Sequence, residues 1–488
     1  MKHQHSAQFL TLVLLTALLA SCGDSTPTSD TTAADTTAAA DTSTVSVETG
    51  VPDDLGTYDF EGRIFNIAYS SEQLGSTWPY TVEEENGDIL SDAVYRRDMN
   101  VEERFNCQIT WYDAGGNTTN QIDAFRNFIL AGDEAYQLCV NHMYYGLNAA
   151  IGDSLLYDFN KLPCINLDKP WWNQSARENL EVEGILLTMT SDIIYSYYDA
   201  IYFNKEIMAE NDLEYPYQNV LDGTWTWDYL AQITKDVSKD LNGDGQYTDE
   251  DMNAFAIDKN ISTMTRLIHA NGMTMASFGA DGKPTLDNLS SAKMHTIVEK
   301  YYDFVWGDNR CYFAGTDGES ECYEAFAKEK AMMMHTQTTR LPLLREVDFE
   351  FGIVPLPKFD EKQENYHTLA STQMLLLPAD MSDPEFVGVV LEALSAESYR
   401  EVTPLLYDVV YTNKYLRDDY SKEMFEIIRG SLVYDFNWNY GSGNTMSYLI
   451  GNTVGMQNEN ISSFIASNVN AALEELTKVY DVIVENYN

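Results

Sequence analysis

Basic side chains are scarce in this chain. Its 488 residues carry 30 Lys and Arg against 76 Asp and Glu, a formal charge of −46 at pH 7. Such an excess of negative charge repels phosphate backbones, which excludes nucleic acid as a partner and speaks against anionic membrane surfaces and acidic ligands. Cysteine is scarce too: six residues, without C-x-x-C spacing or a nearby histidine pattern, so neither a zinc site nor a redox motif is expected. No G-x-S-x-G elbow, H-E-x-x-H helix or phosphate-binding loop occurs. Repeats of the kind that build all-β adhesins are missing. Beyond the amino terminus no stretch is long and apolar enough to span a bilayer.

What is present begins with a short apolar run, residues 9–20, behind Lys2, His3 and His5. It is too short to cross a membrane and has the length of a signal-peptide core. It ends Leu19-Ala20-Ser21-Cys22-Gly23, which resembles a bacterial lipobox. Residues 1–21 would then be removed and Cys22 lipidated; an ordinary signal peptide with an incidental cysteine is the plain alternative. Residues 22–50 are almost entirely Ser, Thr, Ala and Asp, too poor in apolar groups to fold. A coil of that length spans on the order of 30 Å and serves as a tether.

The remaining chain is long enough, at 44% hydrophobic residues overall, to build two lobes with their own cores. Residues 63–69 alternate as a strand, 92–105 form an amphipathic helix, 108–112 a second strand, 120–130 a helix and 136–140 a third strand. Strands alternating with helices predict right-handed βαβ units and a parallel sheet. Its carboxyl edge would present Ser70, Ser71, His142 and Tyr144. His142 has no metal-ligating neighbour at suitable spacing, so it either hydrogen-bonds a ligand or is a satisfied structural histidine.

Residues 324–358, EAFAKEKAMMMHTQTTRLPLLREVDFEFGIVPLPK, read as a helix end, a buried strand at 331–334, a polar loop, a helix and a second strand stopped by Pro355 and Pro357. The order of these pieces resembles family 1 extracellular solute-binding proteins, the substrate receptors of ABC importers, kin to maltose- and multiple-sugar-binding proteins. Other stretches resemble the same family: YRRDMNVEERFNCQITW from Tyr95, AIYFNKE from Ala200, and GTWTWDYL from Gly223, with Thr226 as N-cap and Asp228 in the first helical turn. Lys169-Pro170-Trp171-Trp172 resembles a branch of the family. The resemblance implies an α/β, two-lobed periplasmic-binding-protein-like fold with three hinge crossings and the ligand trapped between lobes.

It implies lobe 1 over 51–195 and 350–398 and lobe 2 over 196–349 and 399–488. The ligand-facing candidates become Ser70, Ser71, His142, Tyr144, Trp171, Asp192, Tyr195, Thr336, Gln337, Thr338 and Trp438. Trp438, in an aromatic loop at 434–440, is the leading candidate to stack on a sugar face, and Trp171 either stacks or packs beneath the cleft. The implied partners are a small-molecule carbohydrate, permease transmembrane subunits and, through the lipid anchor, the outer face of a bacterial cell membrane; the receptor would act as a monomer and catalyse nothing. A lipid-anchored glycoside hydrolase with a carboxylate pair is the competing reading.

The sharpest local motif is residues 240–251, DLNGDGQYTDED. Asp240, Asn242, Asp244, Thr248 and Asp251 offer side-chain oxygens, Gln246 its carbonyl, and Gly245 the sharp turn of a structural Ca²⁺ loop. Asp251 stands where glutamate is usual, which shortens its reach. Of the cysteines beyond Cys22, Cys107 and Cys139 are expected as buried thiols, while Cys311 and Cys322 are placed to form a disulfide or to remain reduced. The carboxyl-terminal part predicts helices at 292–306, at 383–395 with Ser382 as cap, and at 461–487, with strand material at 366–377.

Overall fold

Strand β1 (Arg63–Tyr69) turns Phe65 and Ile67 inward, as its alternation requires. The structure, a computed structural model, describes residues 50–70, 78–113, 118–143, 146–245, 247–307, 311–314, 318–441 and 445–488. Cys22, Ser71, Tyr144 and Gln246 therefore lie outside the described residues, as do the apolar leader and most of the tether. None of the described helices is long and apolar enough to cross a membrane.

The strands following β1 are β2 (Cys107–Asp113), β3 (Leu138–His142), β4 (Asp199–Asn204) and β5 (Asn253–Asp258). A small hairpin follows, β6 (Ser277–Phe278) with β7 (Pro284–Thr285), then β8 (Cys311–Ala314), β9 (Ala331–Gln337) and β10 (Phe351–Pro355). The last three are β11 (Thr368–Leu369), β12 (Gln373–Leu376) and β13 (Leu432–Val433). Two mixed sheets result. The first has the order β12-β3-β1-β2, with β1 parallel to β2 and β3 as expected and β12 antiparallel on the edge. The second has the order β10-β4-β9-β5-β8, in which β4 runs antiparallel to both its neighbours. β10 sits in this second sheet, so the chain returns to the first sheet after Pro355 and not at residue 350.

Between the sheets the crossings lie side by side. Tyr197 bridges to Ser371 and Met189 to Leu375, while β11 pairs with β13. The helices on the first sheet follow their sequence signals. Helix Ile89–Phe105 is capped by Asp88, whose carboxylate accepts from the Ser91 N–H at 3.0 Å, and buries Leu90, Ala93, Val94, Val101 and Phe105 along one stripe. Helix Pro384–Glu397 is capped by Asp383 and not by Ser382: the carboxylate accepts from the Phe386 N–H at 3.2 Å and proline fills the first helical position. Helices Ala292–Trp306 and Ile461–Tyr487 lie where their periodicity puts them.

Two further expectations change, and one alternative left open is decided. β9 does not stop at Met334 but runs on through Gln337, because β4 continues beside it and pairs Ala200 with Thr336 and Asp199 with Gln337. Residues 436–440 form a short helix capped by Asp435 rather than an open aromatic loop. Cys311 and Cys322 are both buried thiols and not a disulfide; the Cys311 thiol donates to the Phe304 carbonyl at 3.1 Å. Cys107 and Cys139 are buried thiols as read, and burial pushes Cys107 up to about 11.

Two packing details show how tightly the second sheet is specified. A Cβ at Gly352 would collide with the Phe203 ring and the Tyr217 hydroxyl, so glycine is required in mid-strand there. Trp225 is fully buried, with its indole N–H donating to the Pro355 carbonyl at 2.8 Å, and Trp227 meets Tyr301 edge-on at 4.6 Å between ring centres.

Candidate functional site

The segment from Thr190 to Tyr198, which carries the chain from one sheet to the other, forms one wall of a cavity of about 350 Å³. Trp171 and Asn173 stand beside it, and Tyr399, Thr403 and Tyr407 close the opposite side with Glu426 and Arg429. The volume is at the lower end for small-molecule pockets. Tyrosine rings and hydroxyls make up much of the lining, a chemistry suited to a ligand with both apolar faces and hydrogen-bonding groups.

Each ring is held by its neighbours. Tyr195 packs 4.6 Å from Tyr80 and donates its hydroxyl to the Pro79 carbonyl at 2.8 Å. The Tyr198 hydroxyl donates to that of Tyr407 at 3.4 Å, and the Tyr198 N–H to the Thr338 hydroxyl at 3.2 Å. The Arg429 guanidinium lies 4.2 Å from the Tyr407 ring centre and donates to both oxygens of Glu426 at 3.1 and 3.0 Å. Asp192 is half-buried in the wall. Burial pushes its carboxyl up to about 7; a hydrogen bond from Thr403 and the charge of Arg429 oppose the shift without cancelling it. A carboxyl of this kind donates a hydrogen bond when protonated and accepts when ionised, within the neutral range.

Three sequence-predicted residues, Trp171, Asp192 and Tyr195, come together here. Trp171 is fully buried, tilted against Tyr399 at 6.1 Å, with the Lys169 ammonium 5.7 Å from its ring, so it supports the wall and exposes no stacking face. Ser70 and His142 stand at the ends of β1 and β3, away from this cavity's lining. Burial pushes the His142 imidazole down to about 4, which keeps it neutral. Thr336 and Thr338 are buried and Gln337 is half-buried; Thr336 and Gln337 end β9, and Thr338 opens a one-turn 3-10 helix, so the stretch is not a free loop. Trp438 is only 3% exposed and meets Tyr448 edge-on at 5.9 Å. The structure thus puts the leading stacking candidate inside the core.

Sequence reasoning passed over Tyr198, Tyr399, Thr403, Tyr407, Glu426 and Arg429. A signal existed: Tyr399, Thr403 and Tyr407 recur every fourth residue along one helical stretch, and Glu426 and Arg429 are an i, i+3 pair.

In the 240–251 loop the carboxylates face backbone N–H groups. Asp240 accepts from Gly243 at 2.6 Å and Gly245 at 2.9 Å; Asp251 accepts from Leu241 and Thr248, both at 2.9 Å. These backbone bonds hold Asp251 below the usual carboxylate range. The tight turn is real, with Gly245 at φ 79°. Among the described residues no three acidic, histidine or cysteine side chains converge as a metal set.

No family model matches the chain, and no curated protein matches it. Solved structures do. A sugar transporter from Rhizobium etli in an open conformation aligns with a TM-score of 0.57 at 13% identity, over 86% of this chain and 99% of its own. The GacH receptor of Streptomyces glaucescens, solved unliganded and with acarbose, gives 0.55 at 11% identity over 86% and 99%. A family 1 extracellular solute-binding protein from Bifidobacterium longum subsp. infantis gives 0.51 at 14% identity over 86% and 99%. This chain has the fold of these structures, two-lobed, α/β and periplasmic-binding-protein-like.

Proposed function

We propose that this protein is a lipid-anchored solute receptor on the extracellular face of a bacterial membrane, binding a carbohydrate, and specifically an oligosaccharide, for delivery to an ABC permease. The observation that carries the reading is the fold: two mixed sheets joined by crossings that lie side by side, the architecture shared with sugar-binding neighbours. The tyrosine- and hydroxyl-lined cavity beside those crossings supports a neutral polyhydroxylated ligand. In this reading closure about residues 189–198, 368–375 and 397–405 traps the ligand, and the chain does no chemistry. Cys22 carries the lipid, residues 23–50 the tether, and the receptor works as a monomer. The lobes divide as the sequence suggests, with the return after Pro355.

Calcium at 240–251 is part of the proposal. Asp240, Asn242, Asp244, Thr248 and Asp251 supply oxygens and Gln246 its carbonyl, stapling the loop. Chelation should lower the unfolding midpoint and Asp240→Ala should abolish that response; a midpoint indifferent to chelator removes the staple.

A specific observation favours the hydrolase as second reading: Asp192, with its raised titration, and the arginine-paired Glu426 line one cavity. Thermal unfolding of the chain against mono- and oligosaccharides separates the two. A ligand at a hundredfold excess over Kd adds about 2.7 kcal/mol of stability. A sugar that raises the midpoint and is recovered intact supports the receptor; a sugar that is consumed supports the hydrolase.

A further inference from the structure

A second cavity, of about 390 Å³, lies across β13 from the first: Leu432 lines one and the adjacent Val433 the other. We propose that it is a binding site for a small oxyanion, such as a sulfate, phosphate or carboxylate group, held by Lys293, His367 and Thr274. This inference does not rest on the carbohydrate reading.

The chain is acidic almost everywhere, yet this cavity is not. Asn179, Thr274, Asn288, Lys293, His367 and Tyr434 line it, and none of its described lining side chains is a carboxylate. Lys293 is the second residue of helix Ala292–Trp306, which is capped by Ser291. There the macrodipole is positive and a cation is disfavoured. His367 adds to the cost. Burial lowers its titration, and the charges of His269 and Lys293 lower it further. Burial also lowers Lys293, against an opposing pull from Asp360. The Lys293 ammonium lies 4.9 Å from the Phe359 ring centre. The nearby Asp435 is committed elsewhere, accepting from the Met275 N–H at 2.6 Å and the Trp438 N–H at 3.0 Å and facing the His269 ring nitrogen at 3.1 Å.

Two basic side chains and a helix amino terminus thus meet on one cavity, each raising the electrostatic cost of the others. An oxyanion seated among them relieves all three at once. The donors that would recognise it can be named. The amide groups of Asn179 and Asn288 are spent on the carbonyls of Ser175 at 2.8 Å and Thr274 at 3.0 Å. The remaining side-chain donors on the lining include the Lys293 ammonium, the His367 imidazole and the hydroxyls of Tyr434 and Thr274, the last of which accepts from the Asn288 amide at 3.2 Å and still has its own proton to give. Because a protonated His367 binds the anion best, affinity rises as pH falls through its titration.

The test is calorimetric titration of the full chain with sodium sulfate, against sodium chloride at matched ionic strength, at pH 5.5 and pH 8. Saturable sulfate binding is expected, at least tenfold weaker in Lys293→Met and weaker at pH 8 than at pH 5.5. His367→Gln should remove the pH dependence while keeping the fold, since both side chains are only partly buried. Lys328→Met makes the same charge change at an exposed position and should bind as the parent does. Inorganic phosphate and acetate in place of sulfate rank the headgroup. The proposal is overturned if no oxyanion gives heat beyond chloride, or if Lys293→Met and Lys328→Met weaken sulfate equally.

Discussion

Asp192 sits on the crossing between the sheets and Asp199 where that crossing enters β4, and the structure treats them in opposite ways. Both are desolvated, which on its own would raise both. At Asp199 the Arg266 guanidinium, donating at 2.9 and 3.2 Å, and His335, 3.3 Å away, overcome the burial and hold the carboxyl well below its usual range. Asp192 has a hydroxyl from Thr403 and the charge of Arg429, whose guanidinium already serves Glu426, and burial wins: its carboxyl moves up to about 7. The difference separates two jobs. A buried carboxylate with a dedicated bidentate cation pins β4 against β9 and helix Ile261–Ala270. One left short of partners in a cavity wall is poised for a ligand.

The largest expected effect is on the pinned side. Arg266→Ala leaves Asp199 as an uncompensated buried charge and should cost about 3–5 kcal/mol in urea unfolding. A loss under about 1 kcal/mol would mean that Asp199 is not held by that guanidinium.

The pH dependence comes next, and its sign distinguishes the two residues. Asp199 titrates below its unfolded value, so its contribution is present above about pH 4 and lost as pH falls further. Asp192 titrates above its unfolded value, so its contribution is fully present below about pH 4 and lost as pH rises through about 7. Glu392, buried in helix Pro384–Glu397 where the Trp172 indole donates to it at 2.9 Å, is likewise pushed up to about 7, by desolvation above all. Stability should therefore decline between roughly pH 4 and pH 7, a slope reduced by Asp192→Asn and further by Glu392→Gln. A flat profile in the parent protein refutes the contrast.

Asp192→Asn by itself should change stability by less than about 1 kcal/mol at pH 4 and make the protein more stable than its parent at pH 8. Destabilisation at pH 8 would show that the carboxylate is better paired than its surroundings suggest. The smallest effect sharpens the cavity side. Thr403→Val removes a hydrogen bond of about 0.5–1.5 kcal/mol and should move the Asp192 titration further up, read from its carboxyl carbon resonance.

Much of the scaffold was legible before any coordinates. β1 matched its alternation, and helix Ala292–Trp306 ended where its apolar stripe ends. The Thr226 cap was visible from one hydroxyl ahead of an apolar helix, and its oxygen does accept from the Tyr229 N–H at 3.3 Å. Local periodicity and capping carry such elements, because the interactions that define them span only a few residues.

The site was less legible. His335 and Thr336 read as loop residues because they are polar; they are strand because β4 runs beside them and Asp199 offsets the burial of His335. Trp438 read as an exposed aromatic, yet Asp435 caps a helix there and Tyr448 covers the ring. Of the eleven ligand-facing candidates, the three on the crossing and its approach converged on one cavity, with Thr338 behind Tyr198.

The chain by itself determined its acidity, its two α/β halves, most of its helices and the tight turn at Gly245, each a matter of composition or short-range backbone preference. Only the tertiary structure decided which carboxylate is ionised, which tryptophan is buried, and that a strongly negative chain gathers Lys293 and His367 around a cavity whose described lining side chains include no carboxylate. Those outcomes depend on contacts between residues far apart in sequence, where burial and the placement of a single partner charge outweigh anything a residue's own type prescribes.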